Sequence, residues 1–102
     1  MKFEWDGQKN KANIRKHGID FDDAKKMFNN PMLVRLDTRD ECGEDRWIGI
    51  GFLGDIVAVV VFTERGDEAI RIISARKALS QERKNYEEEI RHQMEKIEWD
   101  EG

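Results

Sequence analysis

The longest apolar run in the chain, Ile56 to Phe62, is continuous and rich in β-branched residues. That is the pattern of a strand buried on both faces. A polar stretch, ERGDE, follows it, and then a looser alternation, AIRIISARK. The pattern predicts a central hairpin over Ile56–Lys77, with a Gly-containing loop of the kind hairpins use. Upstream, Arg46 to Leu53 alternates, with Trp47 and Gly49 against Ile48, Ile50 and Phe52, as a two-faced strand does. Gly54-Asp55 is its turn into the hairpin. Met32 to Asp37 reads as a further short strand, and Phe3 to Trp5 as a short strand or an extended lead-in.

Three stretches carry helical spacing instead. Asp6 is placed to cap a helix over Gln8–His17, with Ala12 and Ile14 as its main apolar contacts and Gly18 as its stop. Asp20 is placed to cap a second helix whose Phe21, Ala24, Met27 and Phe28 share one face, closed by Asn29-Asn30-Pro31. Ser80 is read as the cap of a last helix with the stripe Tyr86, Ile90, Met94 and Ile97. The order predicts an α+β fold. It is a small antiparallel sheet of three to four main strands, covered on one face by two N-terminal helices and one C-terminal helix. Residues 1–102 are expected to form one domain, with about 98–102 frayed.

Composition adds limits. A chain of 102 residues buries roughly 60–70% of its unfolded surface, enough for one core without cross-links. The lone Cys42 cannot close an internal disulfide and reads as a free thiol, consistent with a cytoplasmic setting. No stretch approaches the ~18–20 apolar residues of a membrane span, and MKFEWDGQKNK has no signal core. The net charge of −4 speaks against nonspecific nucleic-acid binding by the whole surface. The charges are segregated, however. Lys9, Lys11, Arg15 and Lys16 have no acid among them, and Arg71, Arg76, Lys77, Arg83 and Lys84 surround Glu82 alone. A local basic patch on an acidic protein is therefore allowed, beside the plainer reading of solvated faces.

Metal and phosphate-loop motifs are missing from this pattern. His17 and His92 are far apart, Asp20, Asp22 and Asp23 suit an acidic first helical turn, and no Gly-rich loop precedes a helix. No metal and no cofactor is expected. The residue types do suit RNA cleavage without a metal. That reaction needs a base for the 2′-hydroxyl, cations for the phosphorane and an acid for the departing 5′ oxygen. Arg71 and Arg76 are five apart, so an ideal strand points them to opposite faces unless a bulge intervenes. Arg76, at the strand exit, is the preferred phosphate ligand, and Arg71 is expected to pair with an acid across the sheet.

The segments FEWDGQKNKANIRKHGIDFDDAKKMF, GEDRWIGIG, VVVFTERG and RIISARKALSQERKNY, in this order over most of residues 3–86, resemble the BrnT-type toxins of type II toxin–antitoxin systems, relatives of the RelE-like fold. The resemblance implies a compact RelE-like domain and endonucleolytic RNA cleavage that inhibits translation. It also implies a cognate antitoxin, of the ribbon-helix-helix DNA-binding type, that neutralises the toxin. DNA would then be contacted only through the antitoxin. Carried over by position, the candidate residues are Lys16 and His17, Glu64 and Arg65, Arg76, Arg83 and Tyr86.

Each candidate has a structural alternative. Arg76 either stabilises the scissile phosphate or forms a salt bridge with Glu82 or Glu64. His17 is an acid or base by its reference pKa near ~6.5, or a helix C-terminal cap. Glu64 is a base, or a loop acid paired with Arg65 or Arg71. Lys9, Lys11, Arg15, Lys16, Lys77 and Arg83 bind RNA backbone, or form solvated faces. Tyr86, Trp5 and Trp47 are read as packing residues rather than base-stacking platforms. The competing reading for the whole chain is a non-catalytic module that binds protein or nucleic acid through its basic edge.

Overall fold

The computed structural model describes residues 1–38, 45–66 and 68–101, with side chains as far as Met94. The loop carrying Cys42 and Gly43, Asp67 of the hairpin loop, the side chains of Ile97 and Trp99, and Gly102 lie outside the described residues. Of the expected fraying over 98–102, only Gly102 lies wholly outside the described residues, and the backbone is helical as far as Glu101.

The elements run β1 (Lys2–Glu4), α1 (Gly7–His17), α2 (Phe21–Ala24), a 3-10 segment (Lys25–Asn29), β2 (Met32–Asp37), β3 (Arg46–Leu53), β4 (Ile56–Arg65), β5 (Ala69–Lys77) and α3 (Ser80–Glu101). The sheet order is β1-β5-β4-β3-β2. The apolar run is thus the middle strand, as its composition demands, and β4 and β5 form the predicted hairpin. Two expectations are corrected. The sheet has five strands rather than three or four, and it is mixed. The lead-in forms a real strand, β1, lying parallel to β5 with Phe3 opposite Ile70 and Glu4 opposite Arg71.

The second correction concerns the helices. On the first face of the sheet, Ala58, Val60, Phe62, Ile70, Ile72 and Ala75 pack against Ile19, Phe21, Ala24 and Met27 from the α2 region. Burying Phe21 and Met27 completely contributes about 1.5–3 kcal/mol each. By strand alternation Ile48, Ile50, Phe52, Val57, Val59 and Val61 point to the second face. α3 lies there. Tyr86 is 1% exposed, packs edge-on against Phe52, and its hydroxyl donates to Pro31 O at 2.9 Å. The helices therefore flank the sheet on both faces.

The local stop signals act as read. Asp6 accepts the Gln8 and Lys9 amides at 2.8 and 3.4 Å, Gly18 takes φ 73°, and Asp20 accepts the Asp22 amide at 2.9 Å. The apolar positions assigned to α1 are not its buried ones. Ala12 is exposed and Ile14 is 40% exposed, while the buried residue of α1 is Asn13. Its Nδ2 donates to Ile19 O (2.9 Å) and Ala75 O (2.8 Å), and its Oδ1 accepts the Ala75 N–H at 3.1 Å. β1 pairs with β5 only as far as Arg71, so at Ala75 one amide side chain supplies the bonds that a neighbouring strand would have made. α1 docks by hydrogen bonding, which apolar spacing does not reveal.

Asn13→Ala strips the partner from two backbone groups of Ala75 and weakens the turn at Ile19. Urea denaturation should show a loss of about 2–4 kcal/mol. Ile14→Ala should change stability by less than about 1 kcal/mol.

Candidate functional site

β5 carries one residue more than its partner between two ladder positions. Val61 pairs with Ser74 but Phe62 pairs with Ile72, which leaves Ile73 as the extra residue. A bulge of this kind shifts the alternation by one. Arg71, opposite Thr63, and Arg76, opposite Val59, therefore both belong to the second face. Arg35 joins them there, since it stands opposite Ile48.

Arg35, Ser74, Arg76 and Glu82 line a cavity of ≈ 230 Å³ floored by Ile48, Val59 and Val61. The Arg76 guanidinium forks onto Glu82, with Nη1 to Oε1 at 2.8 Å and Nη2 to Oε2 at 2.9 Å. Both side chains remain about one-third exposed, at 37% and 31%. Glu82 Oε1 also accepts the Leu79 N–H at 2.8 Å. It thus closes the first turn of α3 from its third position, the glutamate half of a capping box. Ser80, read from sequence as the cap, is instead the first helical residue. Hydrogen bonding by Arg76, then by the Leu79 amide, holds the Glu82 carboxyl down from its ordinary 4.5 to about 2, against an opposing effect of burial. Chemically, this is a polar pocket with a phosphate-sized, fork-shaped donor set at its wall.

The other predicted residues are dispersed. Arg71 bonds Glu4 of β1, Nη1 to Oε2 at 3.3 Å, which is the cross-sheet acid expected for it. Glu64 and Arg65 are exposed at the far end of β4, opposite Ile70 and Ala69. Five strand residues separate Glu64 from the Val59 level of Arg76, about 17 Å. Glu64 lines a different cavity, with Phe28, Phe62 and Ile70. His17 is the half-buried last residue of α1, where the chain turns through Gly18 towards Ile19 on the first face. Among the described residues, neither His17 nor Glu64 shares the Arg76 cavity.

Lys9, Lys11, Arg15 and Lys16 are all exposed. With Asn13 inward, helical geometry sets Lys11 and Arg15 on the outer side of α1 and Lys9 with Lys16 on a flank, so they form no single stripe. Lys77 pairs with Ala58 and so follows the first face, away from Arg76. Arg83 is exposed on α3. Sequence reasoning missed Arg35 and Ser74 as site residues and gave Glu82 only as a possible partner. Arg35 interrupts the apolar run Met32–Leu36 of β2, and that charge was the available signal. Among the described residues, no three or more His, Cys, Asp or Glu residues cluster in a way that could hold a metal ion. No helix among them is long and apolar enough to cross a membrane.

A family profile described as the ribonuclease toxin BrnT of type II toxin–antitoxin systems matches residues 5–82. Among solved structures, the crystal structure of the Brucella abortus ribonuclease toxin BrnT matches with a TM-score of 0.60 at 34% sequence identity. The match covers 78% of this chain and 99% of that one. A search of curated proteins finds no match.

The pH dependence of the Arg76–Glu82 pair has a definite sign. Because the folded carboxyl is depressed, its stabilisation is fully present above the ordinary value of 4.5 and is lost as pH falls towards about 2. Thermal melts of the natural chain and Glu82→Gln should therefore differ by about 1 kcal/mol near neutrality, allowing for solvent screening of a partly exposed pair. The two should converge through that acid window.

Proposed function

The chain belongs to the BrnT family of ribonuclease toxins of type II toxin–antitoxin systems, and from that premise we propose that it cuts RNA endonucleolytically without a metal, at the arginine-bearing second face of its sheet. The observation that carries this reading is the bulge at Ile73, which brings Arg71 and Arg76 to one face with Arg35 beside a polar cavity. In the proposed step the 2′-oxygen attacks the adjacent phosphorus as its proton leaves to a base. A phosphorane forms, and the bond to the 5′ oxygen breaks as that oxygen is protonated. Arg76 stabilises the equatorial oxygens, exchanging its bidentate contact with Glu82 for the phosphate. Arg35 supplies a second positive charge.

His17, Glu64 and Arg65 enter this reading as residues that RNA would have to reach from other parts of the surface. Lys9, Lys11, Arg15, Lys16, Lys77 and Arg83 would contact its backbone. Cleavage would inhibit translation in the cytoplasm, and a ribbon-helix-helix antitoxin would neutralise it. A second reading, a non-catalytic binding module, is favoured by one observation: Glu82 already neutralises Arg76.

Purified chain is incubated with RNA in EDTA beside Arg76→Ala. Fragments from the natural chain, falling about a hundredfold with Arg76→Ala, are expected. No fragments from free or ribosome-bound RNA, with binding that weakens only gradually as single cations are removed, would select the binding module. His17→Gln should alter the pH–rate profile, and Glu64→Gln should lower the rate; an unchanged profile or rate removes the residue concerned.

A further inference from the structure

The side of α3 that meets the sheet is mostly polar. Glu82, Asn85, Tyr86 and Glu89 recur at i, i+3, i+4 and i+7, so they share one side of the helix. In a helix packed on a sheet that side is ordinarily apolar. Here only Tyr86 packs, with its ring on Phe52 and its hydroxyl donating to Pro31 O. All four line a groove of ≈ 400 Å³ on the second face, whose sheet side is Leu33, Ile48, Ile50 and Val59. One wall of the groove is thus aliphatic, and the other carries hydrogen-bonding groups. A nucleobase has the same division, with apolar ring faces and a polar edge.

The groove adjoins the Arg76 cavity. Arg35, Ile48, Val59 and Glu82 line both. Glu89 lies seven residues past Glu82, about 10 Å along the helix axis. A nucleotide spans a comparable length from its phosphate to the outer edge of its base.

The donors and acceptors on α3 narrow the choice of base. Asn85 Oδ1 accepts from Gln81 Nε2 at 2.9 Å, which leaves the Asn85 Nδ2 group to donate. Glu82 is engaged by Arg76 and the Leu79 amide. Glu89 accepts only a long hydrogen bond, 3.5 Å, from Gln93 Nε2, and an ionised carboxylate is an acceptor alone. Guanine presents one acceptor, O6, beside two donors, N1–H and the 2-amino group. Adenine and cytosine set an unprotonated ring nitrogen beside their amino group, which a carboxylate repels. Uracil has one donor between two acceptors.

We propose that this groove is a subsite for guanine, in the nucleotide whose phosphate sits at Arg76 and Arg35. The ring lies against Ile48, Ile50 and Val59. Asn85 Nδ2 donates to O6, and the Glu89 carboxylate accepts from N1–H and the 2-amino group. Asn85 and Glu89 set specificity and touch no reacting atom. Both lie past residues 5–82, which the family profile matches, so the selectivity follows from this chain's own groove. Guanine selection rests on the reading of this face as the one that cuts RNA, and the two are tested separately.

Isothermal titration calorimetry of the full chain with the 3′- and 5′-monophosphates of the four ribonucleosides reads the subsite without cleavage. A guanosine monophosphate should bind about tenfold more tightly than its adenosine, cytidine and uridine counterparts. Inosine monophosphate, which lacks the 2-amino group, should fall between. Glu89→Gln should abolish the preference, because a neutral amide replaces one acceptor with a donor. Asn85→Ala should reduce it several-fold. Glu88→Gln makes the same charge change at an exposed position outside the groove, and should keep the preference. Circular dichroism checks that the variants fold. Equal affinity for the four nucleosides, no binding up to millimolar concentration, or a preference that survives Glu89→Gln overturns guanine selection. Guanosine-selective binding by a chain that cuts no RNA upholds the subsite and overturns only the ribonuclease reading. Cleavage without base preference does the reverse.

Discussion

The fold hangs on the three hydrogen bonds of Asn13. α1 has no apolar face to bury, and its one buried residue is an amide. By taking both backbone groups of Ala75 and the carbonyl of Ile19, that side chain fixes the helix, the turn after it and the outer edge of β5 to one another. Asn10 repeats the device one turn earlier. It donates to Asp20 at 3.0 Å and accepts the Phe21 amide at 2.9 Å, and so sets the entry of α2, whose Phe21 is wholly buried in the core. Buried polar groups held this way specify one arrangement, because each alternative leaves a donor or acceptor unpaired.

The same region decides what the sheet presents. Ala75 faces the core and Arg76 faces the other side, so the clamp on Ala75 also fixes the strand from which Arg76 projects. The extra residue at Ile73 then reverses the alternation between Arg71 and Arg76. Without it the two guanidiniums would lie on opposite faces. With it, Arg71 is held by Glu4, and Arg76 turns towards α3 and its glutamate. Glu82 serves two elements at once, closing the first turn of α3 and aligning the guanidinium.

α3 is joined to the sheet through Arg76–Glu82 and through the Tyr86 ring with its bond to Pro31. Among the described side chains past Glu89, Ile90 is half-buried and Arg91, His92, Gln93 and Met94 are exposed. The glycines of β3 serve the opposite, first face. A Cβ at Gly49 would come within 2.8 Å of Met32 Sδ, and one at Gly51 within 3.1 Å of Pro31 O. The start of β2 can therefore sit close over β3.

The elements and most of their limits are legible in the order of residues alone. Asp6, Gly18, Asp20 and Pro31 act through bonds and sterics within a few residues, so their effects are readable locally. The apolar run of β4 announced the central strand for the same kind of reason, since its composition has no other use. The family motifs were legible too, as a string in fixed order. Contacts between distant parts of the chain made Lys2–Glu4 a parallel edge strand, held α1 by Asn13 rather than by Ala12 and Ile14, and put α3 on the face opposite the other helices. They also decided which cations meet. A bulge depends on how two strands are registered against each other, and hydrogen bonds such as Asn13 to Ala75 join residues 62 apart in the chain. Arg35, Arg76 and Glu82 come together through that non-local geometry, which spacing along one strand or one helix does not encode.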